Sequence, residues 1–491
     1  MKRMEGLLWV AACVSVFLLP AKARAWGSYG HEQVNSAALH LLAGKSYGGC
    51  LSQNENLIVR YAETPDMDWK AIGRLPDDPA LRRLTVQADH YEHPLHFFEA
   101  DAFAGGESTS LSSIQALPSD EAFLKDLSSL TQRLAAEASY VAQVDPSKKL
   151  ADPAHPTPAE VEAHGTAPWR AKQLFDLGVA ALKKNDFPHA LLYLSAMGHY
   201  IGDMSQPFHA TLNFDGDFYD SPAAGIHHTF EEAILEDQAK AKGASLDEPT
   251  YLWSSFGATE GEVSKIAQQE YFASSPLASD KFVPEVLGLV STGYPYVELL
   301  LGSFAQICKE GPDLDRNGNL KSGGDGAVAF ARARANRHLS STSTPAAIGN
   351  SPRIARGMLR TVTASRGSIQ VTTPIPSAQL DHGTVLTEEE NAPFCVAVEK
   401  DDKSVAARVS VGMVRAFTRS QVEDPKQGIA KTTVLEVAEQ RLAKSAVLLA
   451  RIWDLAFETA KPDLTACPKL SFDKALVLQN YPKPSYLRAG P

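Results

Sequence analysis

Gly198-His199-Tyr200-Ile201-Gly202-Asp203-Met204-Ser205-Gln206-Pro207-Phe208-His209 is the stretch from which the rest of the chain can be read. It sets an imidazole, a carboxylate and a second imidazole at spacings of four and six. Residues four apart share one face of a helix, so His199 and Asp203 are placed to hold one cation between them. Pro207 cannot continue a helix and restricts the residue before it, so the chain should bend there and turn His209 toward a neighbouring position. Downstream, Gly225-Ile226-His227-His228-Thr229-Phe230-Glu231 repeats the pattern, with His227 and Glu231 again four apart. A single histidine on an apolar helix face is ordinarily a satisfied core residue. Two His-carboxylate pairs so close together offer the nitrogen and oxygen donors that zinc takes, and they point to a multinuclear metal site.

The chain starts with the marks of a secretory leader over residues 1–25. Lys2 and Arg3 form a basic start, residues 7–19 an apolar run, and Ala23-Arg24-Ala25 a small-residue cleavage site. That run is too short for a membrane span. The mature chain is therefore expected to begin at Trp26 and to be secreted or periplasmic. Its new α-amino group and carbonyl would suit metal chelation, and His31 adds an imidazole five residues on, at the start of an expected helix over 32–42. His40 within that helix reads as structural or surface. Loss of Cys13 leaves Cys50, Cys308, Cys395 and Cys467, enough for two disulfides in any of three connectivities. Their scattered spacing does not resemble a cysteine-type zinc site.

The segments His199-Tyr200-Ile201-Gly202-Asp203, Gln206-Pro207-Phe208-His209-Ala210 and His227-His228-Thr229-Phe230-Glu231 resemble the bacterial zinc-dependent phospholipase C family. That family shares its fold and trinuclear zinc site with zinc nucleases that cut single strands. The resemblance extends through Ala171-Lys172-Gln173 and Asp186-Phe187-Pro188-His189-Ala190-Leu191-Leu192-Tyr193-Leu194, and includes Trp26. It covers residues 26–35, 60–101 and 168–240, with a weaker match in the last long helix. Between 58 and 101, Thr64-Pro65-Asp66-Met67-Asp68-Trp69 and Pro94-Leu95-His96-Phe97-Phe98 should supply the remaining ligands. Asp66 and His96 are the expected ones, with Glu63 or Asp68 as alternatives to the first and His90 to the second. The resemblance implies three zinc positions. One is held by Asp66, His96, His199 and Asp203, and a second by His209, His227 and Glu231. The third takes the amino nitrogen and carbonyl oxygen of Trp26, His31 and a shared Asp203. Asp66 is also the candidate general base.

The expected fold is mostly α: one multi-helix phospholipase C/nuclease-like domain over 26–309, closed by a helix within 426–465. Helices are read over 119–144, 171–184, 186–203, 231–244, 261–272, 283–310 and 434–460 from apolar spacing. The pair 171–184 and 186–203 should pack together, with His189 structural. Residues 310–425 read as a loop-rich, partly β insertion with short strands at 368–373 and 394–398. Within it, Asp313-Leu314-Asp315-Arg316-Asn317-Gly318-Asn319-Leu320 resembles the start of a calcium loop, but the twelfth position is Gly324 instead of Glu, so Ca2+ is weakly supported. Residues 466–491 read as a C-terminal tail.

The formal charge is −11, and the leader carries four cations against one acid, so its removal leaves −14. An acidic body disfavours a stable nucleic-acid complex, which needs basic contacts. The expected partner is a phospholipid or other phosphodiester substrate, with peripheral membrane contact; no protein partner is inferred. The spacing after His209 and the use of Glu231 resemble the phospholipase branch. Related nucleases carry Asp at that last place and a Gly-Gly-Asn stretch where this chain has Asp215-Gly216-Asp217. The short step from Trp26 to His31 is instead nuclease-like. The readings are a secreted phospholipase C, a single-strand nuclease or 3′-nucleotidase, and a non-catalytic exported zinc-binding protein.

Overall fold

A computed structural model describes residues 26–70, 75–118, 128–214, 226–235, 237, 257–310, 363–364, 367–368, 384–386, 395–400, 404–423 and 431–484. The expected leader, the calcium-like loop at 313–324 and most of the helix expected over 231–244 lie outside the described residues. The architecture is mostly α. The helices that frame the body include α1 (Gly27–Leu41), α2 (Glu55–Ala62), α3 (Pro79–Glu92) and, after several shorter helices, α4 (Ala167–Leu182) and α5 (Phe187–Asp203). Then come α6 (Gly257–Ala273), α7 (Phe282–Gly293), α8 (Tyr296–Glu310), α9 (Val411–Arg419), α10 (Val434–Ala460) and α11 (Lys474–Gln479).

The expected pair is the α4–α5 hairpin. Pro168 and Pro188 sit in the first turns of these helices, where no amide hydrogen is needed. Asp186 caps α5 by accepting from the amide of His189 and also meets the His189 ring at 2.8 Å. That contact makes His189 a helix-start residue remote from the metal pattern. The hairpin closes tightly because Gly178 lies where a Cβ would fall 2.6 Å from Leu194. α1 is tied to this body by Asn35, whose side-chain amide donates to the carbonyls of Ile58 (3.1 Å) on α2 and Ser195 (3.0 Å) on α5.

α10 closes the bundle. It runs 27 residues, begins with a capping box formed by Thr433 and Glu436, and packs on α1, α4, α5 and α6. The helical region expected over 283–310 is divided into α7 and α8, because Pro295 between them cannot extend a helix.

Strands do occur before α9. Thr363–Ala364 pairs with Gly367–Ser368, and Ser404–Ser410 lies between Thr384–Leu386 (parallel) and Cys395–Lys400 (antiparallel). The strand expected at 394–398 falls in the last of these, whereas 369–373 lie outside the described residues. From α9 onward the chain packs with the helical body: Phe417 meets Phe304 edge-on at 5.0 Å, and Ser420 hydrogen-bonds Ser303 at 2.7 Å.

Residues 461–484 form a strap across the helices, an arrangement the reading as a tail does not contain. Cys467 is disulfide-bonded to Cys50, and the Trp69 indole donates to the Val477 carbonyl at 3.2 Å. The side chains of Cys308 and Cys395, the other expected cysteines, are outside the description. Among the described residues no helix is long and apolar enough to cross a membrane.

Candidate metal centre

His199 and Asp203 occupy the last turns of α5 and are fully buried, with His199 Nε2 3.5 Å from Asp203 Oδ2. α1 brings His31 against them: its Nε2 is 3.4 Å from Asp203 Oδ1, and its ring stacks on His199 at 3.7 Å. Two glycines interleaved with the His-Asp pair permit this approach. A Cβ at position 202 would sit 2.9 Å from His31 Nδ1, and one at 198 would sit 1.9 Å from Asn35 Oδ1. That Gly-x-x-x-Gly spacing is legible in the sequence and is a signal that reading for ligands alone passes over.

Trp26 is buried with a left-handed backbone (φ 53°) at the start of α1. Its indole donates to the Gly202 carbonyl (2.8 Å) and Ser205 Oγ (2.9 Å), and its own carbonyl accepts from the Gly30 amide at 2.9 Å. The side chain thus braces the end of α5, and the carbonyl starts α1.

Asp66 stands on the wide helical turn Pro65–Trp69 that follows α2. Its oxygens lie 3.7 Å from His96 Nδ1, 3.9 Å from His199 Nε2 and 3.5 Å from the Lys70 ammonium. The alternatives point elsewhere. Asp68 pairs with Arg60 (3.1 Å) and Lys474 (3.4 Å), and Glu63 pairs with Arg60. His96, on the short turn after α3, puts Nδ1 3.0 Å from His199 Nε2 and 3.3 Å from Asp203, while His90 remains exposed.

The chain beyond Pro207 does bend, forming the tight turn Pro207–Ala210. His209 there directs Nδ1 to the His96 carbonyl at 2.7 Å, which leaves Nε2 toward the cluster, 3.1 Å from His227 Nε2 and 3.6 Å from Glu231. His227 Nε2 and Glu231 meet at 2.7 Å across one helical turn. His199 is oriented like His209, with Nδ1 on the Ala62 carbonyl at 2.9 Å. Such backbone contacts fix which ring nitrogen remains for a metal.

Potential ligand atoms therefore fall into three buried groups, each within 4.8 Å: His31–Asp66–His199, His96–His199–Asp203 and His209–His227–Glu231. The third brings together His209, His227 and Glu231, the residues of one expected set. The second holds His96, His199 and Asp203 of another expected set, and the first puts His31 with Asp66 and His199. Several His/Asp/Glu clusters could thus bind metal ions.

Burial drives the electrostatics. It pushes the His96 and His199 imidazoles well below their ordinary range and His227 to about 3, so they stay neutral, the form that ligates. It raises Asp203 well above the usual carboxylate range, helped by the charge of Asp66, and lifts Glu231 to about 7. Asp66 Oδ1, both Asp203 oxygens and Glu231 Oε1 are buried without a hydrogen bond. Buried carboxylate oxygens without donors are costly, and a cation offsets that cost. These mixed imidazole and carboxylate donors fit zinc.

Beyond the ligands, Asp101 fixes the segment leaving His209. It accepts from the Leu212 amide (3.0 Å), Thr211 Oγ1 (2.7 Å) and Tyr140 OH (3.0 Å). At the end of that segment Phe214 is 39% exposed, its ring edge-on to His227 at 5.5 Å. Nothing in the sequence reading marked either residue.

No protein-family model matches the chain, and no solved structure matches it. Among curated proteins it is similar to one from Bradyrhizobium tropiciagri named as a probable serine protease. The two are 26% identical over 228 residues, covering 41% of this chain and 27% of that protein. The chain thus spans about a quarter of the length of this relative.

Proposed function

We propose that the protein is an exported zinc-dependent phosphoric-diester hydrolase, a phospholipase C that cuts phosphatidylcholine-like lipids into diacylglycerol and a phosphorylated headgroup. The observation that carries this reading is the buried convergence of His31, His96, His199, His209 and His227 on Asp66, Asp203 and Glu231, carboxylates that each keep at least one oxygen without a hydrogen bond. Asp66, His96, His199 and Asp203 would hold one zinc, and His209, His227 and Glu231 a second. His31, Trp26 and the shared Asp203 would hold a third. Bound there, zinc supplies Lewis acidity for phosphoryl oxygens and lowers the pKa of water toward neutrality.

The chain's own residues supply the rest. Asp66 Oδ1 makes no hydrogen bond, and Asp66 is the residue proposed to take the proton of the attacking water. The Lys70 ammonium, 3.5 Å from Asp66, lies where it can attract an anionic oxygen. Phe214 offers an apolar edge to a substrate entering beside His227.

The relative's name raises the question of serine chemistry, which needs a hydroxyl beside a histidine base. Here His96, His199, His209 and His227 face carboxylates and one another. Both the relative's name and the present reading describe a hydrolase. For the substrate, Glu231 and the spacing before it favour lipid, whereas the short step from Trp26 to His31 favours a nuclease.

The test uses protein processed to begin at Trp26, with its zinc content measured, on phosphatidylcholine micelles and on single-stranded RNA, with and without chelator. Chelator-sensitive release of phosphocholine is the expected result. Nucleotide release alone would transfer the proposal to the nuclease branch. Zinc retention without hydrolysis of either substrate would leave a non-catalytic zinc-binding protein.

A further inference from the structure

Glu92 ends α3, four residues before His96, and is completely buried. Two other helices hold its carboxylate. Arg170 on α4 reaches it with Nη2 at 3.3 Å, and the Tyr200 hydroxyl on α5 donates to it. Arg170 is itself fully buried and has little freedom to move. Its Nη1 donates to Gln173 (2.8 Å) and to the Pro482 carbonyl of the strap (2.5 Å), and the guanidinium lies 5.4 Å from the Trp69 ring. Burial pushes the Glu92 carboxyl above its usual range, and the Arg170 charge and the Tyr200 hydrogen bond work against that rise, as a buried carboxylate requires.

The Glu92 oxygen that accepts from Tyr200 also faces His96. This Oε1 is 3.9 Å from His96 Nε2, a buried nitrogen that makes no hydrogen bond. The other ring nitrogen, Nδ1, is the one directed at His199, Asp203 and Asp66. His96 is therefore inverted relative to His199 and His209, which put Nδ1 on backbone carbonyls and direct Nε2 inward. With no carbonyl behind it, His96 depends on a carboxylate to set its tautomer.

We propose that Glu92, fixed by Arg170 and Tyr200, is a positioning residue that receives the Nε2–H of His96 and commits Nδ1 to the cation. The inference rests on the zinc reading of the cluster. Carboxylates behind metal-bound imidazoles hold the ring in place and raise its basicity, and their loss weakens metal binding.

The experiment is chelator competition for zinc on the full processed chain and its Glu92→Gln variant, whose side chain has nearly the same shape. Zinc affinity is expected to fall ~10–100-fold with helical content unchanged. Two-bond proton–nitrogen NMR on zinc-loaded wild type should show His96 protonated at Nε2, with His199 and His209 protonated at Nδ1. Tyr200→Phe removes one hydroxyl and keeps the ring, so it tests the same idea if Glu92→Gln does not fold; a several-fold weaker affinity is expected. Phe417→Ala, in the core away from the cluster, controls for general loss of stability and should leave zinc affinity unchanged. A folded Glu92→Gln chain with wild-type zinc affinity, a His96 protonated at Nδ1, or an equal loss in Phe417→Ala each overturns the proposal. Wild-type protein that binds no zinc at all removes the cation reading beneath it.

Discussion

His199 and Asp203 project from a 17-residue helix buried among four others, whereas His209 and His227 stand on short turns beside an exposed phenylalanine. The His199 side chain has no exposure, and that of His227 has 11%. In the inner half, helix packing places the donors, and the geometry follows from which residues are small enough to let α1 approach α5. In the outer half, individual hydrogen bonds do the placing. The Gln206 side chain accepts from the Phe208 amide at 2.5 Å, His209 holds the His96 carbonyl, and Asp101 gathers the backbone after it. The inner donors are thus tied to the stability of the fold, and the outer ones to local contacts where substrate would enter.

The strongest way to break this comparison is at Asp203, on which the inner histidines converge. Its oxygens lie 3.3–3.9 Å from nitrogens of His31, His96, His199 and His209. Asp203→Asn should abolish most zinc uptake in the inner half, with hydrolysis falling at least ~100-fold, the upper end of what losing a supporting partner alone costs. In the zinc-free state the same variant should melt no lower than wild type, because a buried carboxylate without donors is replaced by a neutral amide. Metal analysis and calorimetry on matched samples check both parts. A large loss of apo stability would mean that the carboxylate serves the fold instead of a cation.

Glu231→Gln divides the halves. It removes the charge from the outer set and leaves His96, His199 and Asp203 untouched, so zinc content should fall by one equivalent while melting of the metal-free protein changes little. Activity should fall with the lost equivalent. Loss of all bound zinc would show that the two halves load as one unit.

The inner half is also the part most legible in the sequence. Helical spacing marks α1, α4, α5 and α10, and the four-residue step from His199 to Asp203 places both on one face without knowledge of any neighbour. Pro207 announces the turn that carries His209. What is not legible depends on residues far apart in the chain. The strap joins Cys467 to Cys50 across 417 positions, and the Trp69 indole to Val477 across 408. No local pattern reports such pairings. The expected choice of Asp66 over Glu63 and Asp68 has its physical reason in Arg60 and Lys474, which engage the other two. Nor does a local pattern mark Glu92, an unremarkable acid at a helix end until Arg170 and Tyr200 converge on it.

Gly202 is a smaller perturbation of the inner half. In Gly202→Ala the new methyl would meet His31 Nδ1 at 2.9 Å, so α1 or the imidazole must shift. Overpacking of this kind costs about 1–3 kcal/mol. The melting temperature should drop, and the zinc bound through His31 should exchange faster than that bound through Glu231. Equal exchange at both positions would mean that α1 yields without moving its histidine.

Phe214 gives the smallest expected effect and sharpens the picture of the outer half. Its ring touches the edge of His227 and is 39% exposed, so it can meet substrate without ligating anything. Phe214→Ala should raise KM by about fivefold and leave kcat unchanged, which corresponds to about 1 kcal/mol, the low end for stacking on an aromatic side chain. The same loss on short-chain phosphatidylcholine and on a dinucleotide would make the ring a general apolar edge. A loss confined to the dinucleotide would make it a base platform and favour the nuclease reading. A fall in kcat at constant KM would assign the ring a different role, holding His227 in place against Glu231, and the outer half would then be braced by aromatic packing as well as by hydrogen bonds.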